Sequence, residues 1–456
     1  MGGEPVSLWE FSYAACPNRW HTCRTMGPSS APAAPQSAKP LRGTCLLTGR
    51  PIEVRFRGDG AIASVTSCLA APPHVFLAPG LVDVQLNGFV GFDFNVCGSA
   101  GPEKTAAGLS RVCEHLHASG VTTFLPTLIT GAPGAIAASL AALAAARALL
   151  PPRLAACVPG FHLEGPFINP ADGYRGAHPA AHCAPPDLAL LDRWQEAAGG
   201  LIKYVTLAPE LPGALEFIRG AVARGVAVAI GHTAANAEQV AAAAAAGATL
   251  STHLGNGVPL QLHRHANPLW AQLGEDRLAA GFIADTWHLP PEVLRAALRA
   301  KGHHRSFLVS DAAAPGGLPP GEFEGSAIGG GVVLTGEPGG ARPQRLAMKQ
   351  GGYLAGSAAT LLQAVAHAAE LVDDERGFSA HEGAAARRLA RAWALASVNP
   401  ARLLALPHAA ALSPGAPANM VELMLPPADG GGGASPRVTR VWVLGEEVFP
   451  RAVVDN

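Results

Sequence analysis

Short apolar runs recur along the middle of the chain and alternate with amphipathic stretches of helical period. Eight of these runs are partly β-branched, which predicts strands. They are Leu81–Leu86, Thr122–Pro126, Ala156–His162, Ile202–Thr206, Ala227–Gly231, Leu250–His253, Ala279–Ile283 and Phe307–Ser310. Helical patterns such as Ala235–Ala246 and Pro291–Ala300 separate most of them. Alternating strand and helix units, eight in number, predict an α/β fold, a TIM-type (β/α)8 barrel.

An open, doubly wound sheet is the alternative that the same alternation allows. A Gly-x-Gly-x-x-Gly motif does not follow the first strand, which counts against a dinucleotide-binding sheet of this kind. After the eighth strand, residues 321–357 are rich in glycine and strand-like in pattern. They predict a β-insertion or a long loop at that end of the barrel.

Both ends of the chain have β-patterns that do not belong to the barrel. Arg50–Thr66 alternates apolar and polar residues around a Gly-Asp-Gly turn, which predicts a hairpin. Near the other end, "NMVELML" and "RVTRVWVLGEEVF" predict two or three further strands. A small β-domain assembled from both ends would therefore flank the barrel.

Residues 1–40 differ from the rest. The segment Gly27–Pro40 is rich in Ser, Pro and Ala, cannot bury a core, and is typical of a linker. We expect residues 1–40 to form a disordered or targeting tail, and they contain no secretory apolar core. The eight cysteines lack any Cys-x-x-Cys pair, which favours free thiols in a reducing, cytoplasmic compartment.

Charge and hydropathy restrict the partners. The formal net charge is -1 and hydrophobic residues make up 49% of the chain, so a large core is expected without a basic surface for nucleic acid or anionic membrane. No apolar run is long enough to predict a membrane span. A small-molecule partner is the remaining expectation.

Imidazole and carboxylate side chains follow successive predicted strands. In "FHLEGPF", His162 and Glu164 are two residues apart at a strand end and would share one face. His232 in "GHT" and His253 in "THLGNG" follow the fifth and sixth strands. Glu164, His232 and His253 would provide three ligands and one open position, the pattern of a catalytic metal site. Each residue by itself also fits a buried His or a loop ion pair.

Further polar residues follow other strands. Asp311 in "LVSDA" ends the eighth strand and could move a proton between water and a leaving amine, or could only cap the following turn. Asp285 and His288 follow the seventh strand, and Arg175 and His178 follow the third. These residues would line the same face of the barrel.

The motifs "PGLVDVQLNG", "HLEGPF", "RGAHP", "VTLAPE", "GHT", "THLGNG", "FIADTWH", "LVSDA" and "LAGS" occur in the order found in N-acetylglucosamine-6-phosphate deacetylases of the amidohydrolase superfamily. The resemblance extends from about Arg50 to Val448. It implies a small β-sandwich from residues 41–78 and 408–456, a barrel from residues 79–407, and a homodimer. It also implies hydrolysis of the N-acetyl group of N-acetylglucosamine-6-phosphate, which is an amino-sugar phosphate.

The resemblance assigns roles by position. Glu164, His232 and His253 match the metal ligands, and Asp311 matches the catalytic acid and base. The positions that match substrate contacts are Ala177, His178, Asn256, Gly257, Arg264, Asp285, His288, Leu354, Ala355 and Gly356. The spacing around Arg264 differs by about one residue, so His263 or His265 could share its role in holding the phosphate.

Departures from the wider superfamily refine the expectation. Many amidohydrolases have His-x-His after the first strand, whereas this chain has Gln85 and Asn87. Neutral amides are poor ligands for zinc, so one divalent ion is expected, with zinc preferred and iron, cobalt or manganese as alternatives. Trp287 stands where a small residue is common. The alternative functions are deacetylation of another N-acylated amino sugar or its phosphate, and non-catalytic binding of a sugar phosphate.

Overall fold

The computed structural model describes residues 39–324, 330–340, 342–374, 379–380, 383–406, 409–425 and 436–450. The strands are β1 (Leu41–Cys45), β2 (Pro51–Phe56), β3 (Ile62–Ser67), β4 (Val75–Pro79), β5 (Leu81–Leu86), β6 (Gly88–Phe89), β7 (Phe92–Asp93), β8 (Val121–Ile129), β9 (Phe161–Glu164), β10 (Ile202–Leu207), β11 (Ala227–Ile230), β12 (Leu250–Ser251), β13 (Ala279–Ile283), β14 (Ser306–Val309), β15 (Gly321–Phe323), β16 (Val332–Thr335), β17 (Arg345–Met348), β18 (Met420–Met424), β19 (Arg437–Val443) and β20 (Glu446–Phe449). The α-helices are α1 (Pro102–Ala118), α2 (Pro133–Leu149), α3 (Pro152–Ala156), α4 (Leu188–Ala197), α5 (Ala214–Ala223), α6 (Ala237–Ala246), α7 (Pro268–Gly274), α8 (Pro291–Lys301), α9 (Leu361–Leu371), α10 (Ala384–Leu395) and α11 (Val398–Leu403).

The central sheet is a parallel barrel. Its eight strands lie in the order β5, β8, β9, β10, β11, β12, β13, β14, and every neighbouring pair is parallel. At the seam, the Asp311 N–H donates to the Gln85 carbonyl at 2.9 Å, and Leu86 forms a parallel bridge with Ala312. An open sheet lacks such a seam. The predicted (β/α)8 barrel is therefore confirmed.

Both faces of the barrel strands are buried, as expected where helices cover a parallel sheet. One cluster inside the barrel includes Val82, Val84, Leu125, Ile283 and Val309. A larger cluster lies mainly between the strands and the surrounding helices, and its largest fully buried members include two tryptophans, Trp194 and Trp393. This packing holds the carboxyl ends of the strands in fixed positions.

The predicted strands correspond to the observed ones with one substantial correction. The third was predicted over Ala156–His162, but β9 spans Phe161–Glu164 and Pro152–Ala156 forms α3. Pro159 has no N–H to donate to a sheet, and Gly160 follows it. The apolar residues before Pro159 therefore belong to the turn that leads into the strand.

A second sheet is built from both ends of the chain. Its seven strands lie in the order β20, β19, β18, β4, β1, β2, β3. Met420 and Trp442 pack with Ile52 in a core that belongs to this sheet, whereas Val421 and Val441 join the main core on the other face. The small β-domain from both chain ends is therefore confirmed.

The limits of that small domain, 41–78 and 408–456, remain predictions, as does the barrel range 79–407. The predicted tail, residues 1–40, lies almost entirely outside the described residues. In the described part of the chain, no helix combines the length and the apolar character needed to cross a membrane.

The glycine-rich segment after the eighth strand forms a small sheet of its own. Strands β15, β16 and β17 pair antiparallel in that order. An antiparallel bridge joins Ala347 of β17 to Leu354, and Ser357 bridges to Ala312 of the barrel seam. The insertion therefore extends from the barrel mouth, beside Asp311.

Candidate active site

Four predicted site residues meet at the carboxyl ends of the barrel strands. Glu164 ends β9, His232 and His253 follow β11 and β12, and Asp311 follows β14. All four side chains are buried. The barrel thus brings together residues that are far apart in sequence, on the face where TIM-barrel active sites form.

The Glu164 carboxylate is the centre of this group. Its Oε1 lies 2.6 Å from His253 Nε2 and 3.2 Å from His232 Nε2, and the two Nε2 atoms are 3.2 Å apart. Ligand atoms that share a tetrahedral zinc lie about 3.3 Å from one another, given bond lengths near 2.0 Å. His232 therefore has a spacing suited to a shared ion, whereas His253 and Glu164 are at hydrogen-bond distance.

His178 belongs to the same group. Its Nε2 lies 3.9 Å from Glu164 Oε2, and its ring centre is 4.4 Å from that of His232. Glu164, His178 and His232 offer ligand atoms within 4.8 Å of one another. His178 Nδ1 is 2.8 Å from the Thr130 hydroxyl. His178, a predicted substrate contact, is therefore also a candidate metal ligand. The ligand set Glu164, His232 and His253 remains a prediction.

Three of these residues have strained backbones. His232, His253 and Asp311 have positive φ angles of 51°, 26° and 49°. Side chains other than glycine rarely adopt this region, and it costs of order 1–3 kcal/mol per residue. Backbone strain of this kind is common in functional sites, and here it coincides with the ends of three barrel strands.

Charge interactions shift the acids and bases of the cluster. Burial opposes ionisation of Glu164, but His253 and His232 hold the pKa of its carboxyl well below the usual range. Burial lowers the pKa of His253, but the charge and hydrogen bond of Glu164 raise it to about 9. Burial, with the nearby Glu164 charge, raises the pKa of Asp311 to about 6. Asp311 can therefore exchange a proton near neutral pH.

Gln85 and Asn87, the two amides at the His-x-His positions, donate hydrogen bonds to Glu164 and Asp311. Gln85 Nε2 donates to Glu164 Oε1 at 3.0 Å and to Asp311 Oδ1 at 3.1 Å. Asn87 Nδ2 donates to the same Asp311 oxygen at 2.7 Å. The sequence indicated only that these amides are poor metal ligands. Their contacts show that they orient the predicted catalytic acid.

Two predicted substrate segments pack against His232. A Cβ at Gly257 would lie 2.8 Å from His232 Nδ1, and one at Gly176, next to Ala177, would lie 3.5 Å from the ring. Asn256 Nδ2 donates to the His253 carbonyl at 3.1 Å. Ala177, Asn256 and Gly257 therefore lie at the cluster, and their contact with a substrate remains a prediction.

Two further predicted substrate segments, Asp285–His288 and Leu354–Gly356, lie next to Asp311. The Ser357 N–H, directly after Leu354, Ala355 and Gly356, donates to the Asp311 carbonyl at 2.8 Å. Ser357 Oγ also donates to Asp285 Oδ2 at 2.9 Å, and that oxygen lies 2.7 Å from His288 Nδ1. These segments therefore form one connected wall.

Comparison with known proteins agrees with this geometry. The model of the amidohydrolase family matches residues 76–448. The chain belongs to the amidohydrolase family.

Its relatives are more specific. The chain is 33% identical over 310 residues to N-acetylglucosamine-6-phosphate deacetylase of Bacillus subtilis (strain 168). This alignment covers 67% of this chain and 72% of that protein. It is 38% identical over 245 residues to the Homo sapiens enzyme of the same name, over 52% and 57% of the two chains. A crystal structure of the Mycobacterium smegmatis deacetylase has a TM-score of 0.73 and 30% identity, and covers 90% of this chain and all of that one (100%). The predicted resemblance is confirmed.

One predicted substrate residue is not brought to the amidohydrolase cluster within this chain. Arg264 is exposed, and its backbone carbonyl accepts a hydrogen bond from Trp270 Nε1 at 3.0 Å. Among the described residues, its guanidinium forms no hydrogen bond or ion pair. Its neighbours His263 and His265 are exposed as well. The role of Arg264 remains a prediction.

Glu210, in the motif "VTLAPE", has a structural role that the sequence did not reveal. Its carboxylate accepts hydrogen bonds from Asn169 Nδ2 at 2.9 Å, from the Ala234 N–H at 2.6 Å, and from the Thr233 hydroxyl. It thereby ties the loop after Glu164 to the loop after His232. The available signal in the sequence was the position of Glu210, a charged residue three positions after the end of β10.

The donor set fits a divalent ion. His232 Nδ1–H donates to the Tyr174 carbonyl at 2.8 Å, which leaves the Nε2 lone pair facing Glu164. Two or three imidazoles with one carboxylate suit zinc and similar ions. Among the described residues, the buried His253 Nδ1 has no hydrogen-bond partner. The histidine and glutamate side chains are therefore able to hold a metal.

Proposed function

We propose that this chain hydrolyses N-acetylglucosamine-6-phosphate to glucosamine-6-phosphate and acetate. The observation that carries the proposal is a single buried cluster at the barrel mouth, in which a candidate proton-transfer acid, Asp311, shares a Gln85 donor with a candidate metal ligand, Glu164. The relatives with this name support the substrate. A variant of the Mycobacterium smegmatis enzyme was solved in complex with N-acetyl-D-glucosamine-6-phosphate.

One divalent ion, with zinc preferred, would be held by Glu164, His232 and His253, with His178 as an alternative ligand. When bound, it supplies Lewis-acid chemistry that lowers the pKa of water and polarises an amide carbonyl. The buried cluster strengthens electrostatic effects on the reacting amide because little water screens them.

Asp311 moves the proton. Its carboxylate accepts a proton from the attacking water while the bond from oxygen to the acetyl carbon forms. It then gives the proton to the amine nitrogen as the carbon–nitrogen bond breaks. Gln85 and Asn87 hold the same Oδ1, which leaves the other carboxylate oxygen available for this transfer.

His178 faces the carbonyl oxygen in this proposal. Burial, with the nearby His232, lowers its pKa to about 3, so the ring is neutral near pH 7. If the Thr130 hydroxyl donates to Nδ1, then Nε2 has the proton and can donate to the oxygen as negative charge develops there.

The experiment is acetate release from N-acetylglucosamine-6-phosphate by purified, zinc-loaded protein, compared with Asp311→Asn. We expect turnover in the parent and a loss of about 10²- to 10⁴-fold in the variant, the usual contribution of one general acid–base group. Metal analysis of both proteins is the control. A parent that retains its metal and releases no acetate would refute the proposed substrate.

Deacetylation of a different N-acylated amino sugar is the second candidate. Trp287, with Arg342 stacked on its ring, puts a bulky group at the rim where a small residue is common. A panel of substrates with different acyl groups and sugars tests whether this changes the substrate. Non-catalytic sugar-phosphate binding is disfavoured because Asp311 and its two amide donors are all in place. A cytoplasmic homodimer is also proposed, and size-exclusion chromatography with light scattering tests the dimer.

A further inference from the structure

Two arginine side chains gather around one indole at the rim of the barrel. The guanidinium carbons of Arg342 and Arg345 lie 3.4 Å and 5.9 Å from the centre of the Trp287 ring. Trp287 Nε1 donates to the Pro343 carbonyl at 3.0 Å, and Arg342 Nε donates to the Thr286 hydroxyl at 3.2 Å. The insertion and the loop after β13 are therefore joined through this indole.

Within the described part of the chain, these two cations have no acidic partner. Neither Arg342 nor Arg345 forms an ion pair with a carboxylate anywhere in the described ranges, whereas Arg277 and Arg440 each pair with a glutamate. A guanidinium presents a planar fork of donors that matches the oxygens of phosphate. Two such forks held on one ring form a site suited to a dianion.

The indole that holds the pair is connected to the proposed reaction centre by hydrogen bonds. The Trp287 backbone N–H donates to Asp285 Oδ1 at 2.9 Å, and Asp285 Oδ2 accepts a hydrogen bond from the Ser357 hydroxyl at 2.9 Å. The Ser357 N–H donates to the Asp311 carbonyl at 2.8 Å. Trp287 is therefore linked to the backbone of Asp311 through Asp285 and Ser357.

We propose that Arg342 and Arg345, supported by Trp287, bind the phosphate of the substrate within the same chain. The inference rests on the proposed function. The acetamide must reach Asp311, and the phosphate is at the other side of the sugar ring, so it extends towards the rim. Arg264, on a different loop, is then not the only cation for the phosphate.

The first test measures acetate release from N-acetylglucosamine-6-phosphate and from N-acetylglucosamine, which has no phosphate. For Arg342→Met and Arg345→Met we expect the ratio of the two kcat/KM values to fall about 10- to 100-fold, the range for losing one charge-assisted hydrogen bond. The change should appear mainly in KM for the phosphorylated substrate. Arg342→Lys should restore part of it because it keeps the charge.

Arg440→Met is the matched control. Arg440 also stacks on a tryptophan, with its guanidinium carbon 4.5 Å from the Trp442 ring, but it lies in the small β-domain and pairs with Glu447. For Arg440→Met, the ratio of the two kcat/KM values should equal that of the parent. An unchanged ratio in both Arg342→Met and Arg345→Met would overturn the proposal, as would equal losses with both substrates.

A second measurement separates failure of this inference from failure of the proposed function. Calorimetric titration with inorganic phosphate requires no turnover. If the parent releases no acetate but binds phosphate more tightly than Arg342→Met, the proposed function fails and the phosphate site stands. If parent and variant bind equally, or only Arg264→Met weakens binding, the phosphate site is refuted.

Discussion

Replacing Gln85 with methionine tests how the cluster is held together. Methionine has a similar length but no amide, so the variant removes both donated hydrogen bonds, at 3.0 Å to Glu164 and 3.1 Å to Asp311. A hydrogen bond to a charged group contributes about 1.5–3 kcal/mol. Only the bond to Asp311 acts directly on proton transfer, so we expect kcat to fall about 10- to 150-fold, at 1.36 kcal/mol per factor of ten.

The assay for Gln85→Met is steady-state acetate release at saturating substrate, with metal content measured on the same preparation. Normalising kcat to metal content separates a misplaced Asp311 from a weakened ligand at Glu164. Urea unfolding should also show reduced stability, because two buried carboxylates lose a donor.

Gln272→Met is the matched control for this change. Gln272 is also a buried glutamine, and its Nε2 donates to the Pro268 carbonyl at 3.1 Å, in α7. We expect its kcat to equal that of the parent. If Gln85→Met keeps kcat within about twofold of the parent at equal metal content, the amide does not orient Asp311 and the reasoning is wrong.

Three other changes test the site and the core. Chelation should abolish acetate release, and adding a divalent ion should restore it. His232→Ala should lower the amount of metal bound per chain, and full metal content in that variant would contradict the role of His232 as a ligand. Asn87→Ala should reduce kcat about tenfold or more, because it removes the 2.7 Å bond to Asp311, and unchanged kinetics would argue against that contact. Trp393→Ala should lower the free energy of unfolding in urea by about 3–5 kcal/mol. Trp393→Phe should lose only about 1 kcal/mol with the bond to the Pro79 carbonyl, and equal losses in the two variants would refute the packing argument.

The barrel could be predicted because its signals are local. A buried parallel strand is a short apolar run, and a covering helix has a period near 3.6 residues, so both patterns are visible in the sequence. The same logic placed Glu164, His232, His253 and Asp311 at strand ends. Local pattern was insufficient at Ala156–His162, where Pro159 delays the start of the strand.

The contacts within the site depended on tertiary structure. Gln85 meets Glu164 and Asp311 across 79 and 226 residues of sequence, and no periodicity relates such distant positions. Likewise, Arg342 stacks on Trp287 only because the insertion folds back over the loop after β13. The sequence by itself determined which side chains stand at the strand ends, because local patterns of apolar residues define the strands. Closure of the barrel decided which of those side chains share a hydrogen bond, because only closure places the first and last strands side by side.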